Sequence, residues 1–81
     1  MKKVLKFHAE WCGPCKTLSK ILDGIETDVV IEGVDVDERR DLVAQYKIRG
    51  VPTLVMVEDD AEIKRKVGVV DAEEIKNWLH S

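Results

Sequence analysis

Eighty-one residues, 44% hydrophobic and 36% charged, suit one soluble domain, spanning 1–81, and leave no room for a second core. A formal net charge of −3, with basic residues scattered among acids, argues against nucleic-acid or anionic-membrane partners. No stretch approaches the roughly 20 apolar residues that span a bilayer, and Lys6 interrupts the opening run Val4-Leu5 before any secretory apolar region forms.

In chain order, Lys3–His8 reads as a short strand. From Pro14 the period changes to Leu18, Ile21, Leu22 and Ile25, which predicts a helix closing at Asp23-Gly24. Val29-Val30-Ile31, Val34 and Val36 predict a second strand. Asp37 is expected to cap a helix through about Tyr46, with Leu42, Val43 and Tyr46 inside. Gly50-Val51-Pro52 interrupts the chain before a third strand, Thr53–Val57. Glu58 to Ala61 reads as a turn and Glu62–Val67 as a fourth strand, ending at Gly68. On that strand Lys64-Arg65-Lys66 points to alternating faces and makes no patch. Asp71 caps a last helix carrying Ile75, Trp78 and Leu79, with Trp78 and Tyr46 both read as core. The order β-α-β-α-β-β-α implies an α/β fold: a four-stranded mixed sheet with helices on both faces.

Cys12 and Cys15 are the only cysteines. With no secretory signal the expected address is cytoplasmic, where a close cysteine pair is redox-active or metal-binding more often than structural. Residues i and i+3 of a first helical turn share a face and meet the 4.4–6.8 Å Cα separation of a disulfide. At the helix N-terminus free N–H groups and the dipole favour a thiolate at Cys12, which makes it the attacking sulfur. Cys15, one turn inside and more shielded, becomes the resolving one. Gly13 permits a tight turn, and Pro14 suits the first helical turn. An inert pair and a zinc site are the alternatives; for zinc the further soft ligands are His8 and His80, neither at finger-like spacing.

The stretch Phe7-His8-Ala9-Glu10-Trp11-Cys12-Gly13-Pro14-Cys15-Lys16 resembles the active-site segment of thioredoxins, and Ile48-Arg49-Gly50-Val51-Pro52-Thr53 resembles the family's cis-proline loop. Gly68 falls where the family has a glycine in its substrate groove. The resemblance covers the chain from its first strand on, without the extra N-terminal strand and helix of full-length members. It implies a minimal thioredoxin fold and a cis bond before Pro52, although X–Pro bonds are trans by default. It also implies that Val51 presents its backbone to an extended substrate segment and that no cofactor is needed beyond the Cys12–Cys15 disulfide. Trp11 is expected on the surface beside Cys12, where it either serves protein contact or shields the loop.

Two family positions differ. Lys6 stands where thioredoxins usually place a buried proton-transferring aspartate, and Gly33 matches that aspartate's lysine partner. Lys6 either packs its stem with the ammonium in water, or stabilises thiolate and makes the couple more oxidising. His8 replaces a packing tryptophan and is either a packing substitute or a proton-exchanging group, since imidazole titrates near neutrality. The reading is a protein-disulfide reductase, expected to be monomeric, taking disulfide-containing proteins as substrates and re-reduced by a thioredoxin-reductase-type flavoenzyme. A glutathione-dependent, glutaredoxin-like cycle and a non-catalytic binding module are the alternatives. An oxidase or isomerase of an oxidising compartment is a weaker one.

Overall fold

The computed structural model describes residues 1–81. Its elements follow the expected order: β1 (Lys2–His8), α1 (Gly13–Asp23), β2 (Val30–Asp35), α2 (Arg40–Gln45), β3 (Thr53–Glu58), β4 (Ala61–Val67) and α3 (Ala72–His80). The sheet order is β2-β1-β3-β4. β1 runs parallel to β2 and antiparallel to β3, and β3 runs antiparallel to β4.

Burial explains the sequence of each strand. β3 is central and covered on both faces, so Thr53 through Val57 are all buried and read as one apolar run. Leu54 and Met56 join Val4 under α1 and α3, against Leu18, Leu22, Ile75 and Leu79. Val55 and Val57 face the other way, packing with Leu5, Phe7, Val34 and Tyr46, and with Leu42 and Val43 of α2. Helices therefore cover both faces. Each fully buried aliphatic or aromatic side chain of these layers contributes about 1.5–3 kcal/mol relative to exposure. β2 is an edge strand and buries only Val34 along its length.

β4, the other edge, sends its basic run to alternate faces. Lys66 pairs with Glu74 at 2.6 Å and Lys64 donates to the Trp78 carbonyl, both on α3, whereas Arg65 donates to the Tyr46 carbonyl at 2.6 Å behind the opposite face. The β3–β4 connection is the two-residue turn Asp59-Asp60, with both φ values positive (52° and 70°), the primed geometry that suits strand twist. α3 is capped as expected: Asp71 Oδ1 accepts from the Glu74 amide at 2.9 Å.

Three expectations need correction. Asp37 does not cap α2. The chain first turns on Asp35, whose Oδ1 accepts from the Asp37 amide (2.8 Å) and whose carbonyl accepts from Arg39 (2.9 Å). The helix then starts at Arg40, with Arg39 at a cap position lacking a side-chain bond. Trp78 is only half-buried at the rim of the α1–α3 layer, with Lys64 Nζ 5.3 Å from its ring centre. Gly13 has no left-handed φ, and a Cβ there would meet nothing within 4 Å, so no tight turn demands glycine.

Candidate active site

The sheet pairing gathers the candidate residues at one end. β1 and β2 end there, β3 begins there and β4 ends there. The segment 9–15 after β1, Val36 and Asp37 after β2, the loop 50–52 before β3 and Gly68 after β4 are consequently neighbours.

Cys12 and Cys15 form a disulfide with a Cα separation of 5.3 Å. Cys12 is the N-cap of α1, in extended conformation, and its Sγ accepts from the Cys15 amide at 3.1 Å. Its own amide donates to the Ala9 carbonyl at 3.2 Å. Pro14 sits in the first turn, where its missing N–H removes no bond. The pair packs with Ala9 and against Val36 and Val51. The greater shielding expected of Cys15 is absent from this disulfide form: the two residues are 4% and 3% exposed. What separates them is position. Only Cys12 stands at the helix N-terminus with a sulfur receiving a backbone N–H.

On the side of the pair where Val36 and Val51 pack lies a groove of about 180 Å³, lined by those two, Trp11, Val43, Ile48 and Gly50 among others. Trp11 is 71% exposed and tethered, its Nε1 donating to Asp37 Oδ2 at 3.0 Å. The Val51–Pro52 bond is cis. Neither the Val51 amide nor its carbonyl takes part in a backbone hydrogen bond of the loops and turns. The Gly68 amide donates to the Pro52 carbonyl at 2.9 Å, and Gly68 adopts φ +87°, where glycine is favoured. Val36, Asp37 and Ile48 were not singled out by the sequence as site residues. The signal for Val36 and Asp37 was their place directly after the strand that runs parallel to β1.

Behind the pair lies an open pocket of about 300 Å³ whose lining includes Cys15, Lys6, His8, Glu10, Lys16 and Ser19. Lys6 shares a sheet face with Val4, toward α1, and its Nζ donates to Ser19 Oγ at 2.9 Å. It is half-buried, its ammonium joined to α1 by that bond. His8 lies on the same face and covers Gly33: a Cβ at Gly33 would stand 3.3 Å from its Nε2. The ring fills the space that a longer residue at 33 would need. No group of three or more His, Cys, Asp and Glu side chains is placed to hold a metal ion, and His80 instead meets Thr27 Oγ1 at 3.0 Å.

Comparison with known proteins agrees with this geometry. A family model described as thioredoxin matches residues 1–81. A thioredoxin of Mycoplasmoides gallisepticum is 33% identical over 96% of this chain and 81% of its own length. One of Chlamydia trachomatis is 36% identical over 89% of this chain and 74% of its own. Among solved structures, a mutant thioredoxin from Halobacterium salinarum superimposes with a TM-score of 0.89 at 34% identity, covering 98% of this chain and 72% of that one.

Proposed function

The chain belongs to the thioredoxin family and is a thiol–disulfide oxidoreductase, and we propose that Cys12 is its attacking sulfur and Cys15 its resolving one. Its redox group is the protein's own disulfide, as in the family, whose members act on protein disulfides and are re-reduced by a reductase. In the reduced protein the Cys12 thiolate attacks one sulfur of a substrate disulfide. A Cys12–substrate bond forms, and the other substrate sulfur leaves as thiolate. Cys15, having lost its proton, then attacks Cys12, closing the Cys12–Cys15 bond and releasing the second substrate thiolate. Two electrons pass to the substrate, and the protein is left oxidised.

The observation that carries this assignment is Cys12 Sγ at the cap of α1, accepting the Cys15 amide. A sulfur so placed is stabilised as thiolate by the helix end. Cys15→Ser should accumulate a stable mixed disulfide through Cys12, whereas Cys12→Ser should form none. Trapping through residue 15 in the Cys12→Ser protein would reverse the roles.

Substrate docking falls to the groove in front. The unbonded Val51 amide and carbonyl suit strand-like pairing with an extended segment, Pro52 and Gly68 hold that loop in place, and Trp11 offers an apolar flank. Open space over Gly13 leaves room for the incoming chain.

The Gly-Pro dipeptide between the cysteines favours a flavoenzyme reductase drawing on NADPH. NADPH consumption that needs glutathione and its reductase would overturn this partner. We place the protein in the cytoplasm, working as a monomeric single domain.

A further inference from the structure

The pocket behind Cys15 is lined mainly by polar and charged side chains. Its wall carries two lysines, Lys6 and Lys16, and one carboxylate, Glu10, with the His8 ring beside them. Lys16 and Glu10 are exposed, whereas Lys6 is half-buried. Across the sheet from Lys6, Gly33 brings no side chain, and the nearby Asp35 carboxylate is engaged by the Asp37 amide.

Lys6 is also the one cation of this wall with a fixed address. Its Nζ donates to Ser19 Oγ at 2.9 Å. Ser19 follows Cys15 by four residues on α1, so the two share a helix face with Cβ atoms about 5–6 Å apart. The hydroxyl is neutral, and the ion pairs of the protein join Met1, Lys3, Arg39, Arg65 and Lys66 to acids but not Lys6. The Lys6 ammonium is thus held one turn from Cys15 outside any ion pair, with Glu10 the one carboxylate on the same wall.

We propose that Lys6 is a fixed cation that stabilises the thiolate of the reduced Cys12/Cys15 pair and sets the couple at a more oxidising potential than a neutral residue would. Reduction adds two electrons, breaks the Sγ–Sγ bond and leaves sulfur that is partly thiolate at neutral pH. Negative charge therefore appears only in the reduced form, and a cation nearby favours that form. Lys6 acts through its field, not by touching the reacting sulfurs. This inference rests on the dithiol reading above and specifies its direction: the pair accepts electrons more readily than a neutral floor would allow.

The test is the equilibrium of the full-length protein with dithiothreitol buffers at pH 7, together with titration of the reduced thiols by their ultraviolet absorbance. Lys6→Gln and Lys6→Met should each shift the equilibrium toward disulfide by about tenfold, which is ~30 mV for a two-electron couple, and raise the thiolate-forming pKa. Lys6→Arg should restore both values. Ser19→Ala, which keeps the charge but frees it, should give a smaller shift of the same sign and serves if neutral variants fold poorly. Unchanged potential and thiol titration in the neutral variants, or in Ser19→Ala should they not fold, would overturn the proposal. A wild-type protein that exchanges with no disulfide would instead overturn the dithiol reading beneath it.

Discussion

The two sides of the Cys12–Cys15 disulfide are built differently. In front, backbone does most of the work: the Cys15 amide on Cys12 Sγ, the Gly68 amide on the Pro52 carbonyl, and unbonded Val51 groups. Behind, side chains do it: Lys6 on Ser19, and the His8 ring laid over Gly33. Backbone geometry is specified by a few special residues and carries over between relatives. A side-chain floor can be rewritten one residue at a time. The difference is that the nucleophile and its groove rest on backbone, while the setting of the second sulfur rests on side chains.

The largest expected effect lies in front. Gly68→Val forces a β-branched residue into φ +87° and should cost about 2 kcal/mol of stability, since left-handed backbone penalises ordinary residues by roughly 1–2 kcal/mol. It also loosens the amide that fixes Pro52, so KM for a protein disulfide should rise more than kcat falls. Chemical denaturation together with steady-state turnover checks both, and a Gly68→Val protein as stable as wild type would mean that this corner is not held by backbone.

A smaller effect is expected at the tether. Asp37→Ala removes the acceptor of the Trp11 indole, an exposed bond worth at most about 1 kcal/mol. Stability should hold within roughly 0.5 kcal/mol, KM should rise about threefold, since about 0.65 kcal/mol of docking is near that factor, and Trp11 emission should shift. A KM equal to wild type would separate Trp11 from substrate contact.

The same contrast governs what could be read from the sequence. Strand and helix order were visible because each apolar run has one period, and β3 reads as continuous because both of its faces are covered. Cys12 and Cys15 stood out as a close pair at a helix start, whereas Val51, Pro52 and Gly68 stood out through the resemblance to thioredoxins. Asp37 misled because an aspartate before a helix is a usual cap, and only the tertiary fold shows Asp35 making the turn while Asp37 meets Trp11. The Lys6–Ser19 bond joins residues 13 apart, and the His8–Gly33 contact joins residues on neighbouring strands. No local pattern announces either.

Behind the pair, Gly33→Ala tests whether the ring over glycine is a real constraint. Alanine in a strand gains roughly 0.5–1 kcal/mol over glycine, but its Cβ would stand 3.3 Å from His8 Nε2. The two should nearly cancel, leaving stability within about 0.5 kcal/mol of wild type. In a His8→Ala background the same change should be stabilising, giving a coupling of about 0.5–1 kcal/mol in the double-mutant cycle. Zero coupling would mean that the ring moves aside freely and that residue 33 is open to a longer side chain.

The smallest effect is a control on where acid acts. Arg65 grips Glu62 through two bonds, Nε to Oε2 at 2.7 Å and Nη2 to Oε1 at 2.6 Å, and these hold the Glu62 carboxyl below its ordinary 4.5. A carboxylate whose folded pKa is depressed contributes stability above its unfolded value and loses it as pH falls through the lower folded one. The pair is about one-third exposed, so the contribution is about 0.5 kcal/mol after screening. Glu62→Gln should therefore cost about that much at pH 7 and flatten the loss of stability below pH 4.5, with the disulfide potential at pH 7 unchanged. Lys6→Gln should do the reverse, moving the potential while leaving the acid limb in place. If Glu62→Gln also moved the potential, the two ends of the sheet would be coupled, and the floor behind Cys15 would not be the isolated electrostatic element its geometry describes.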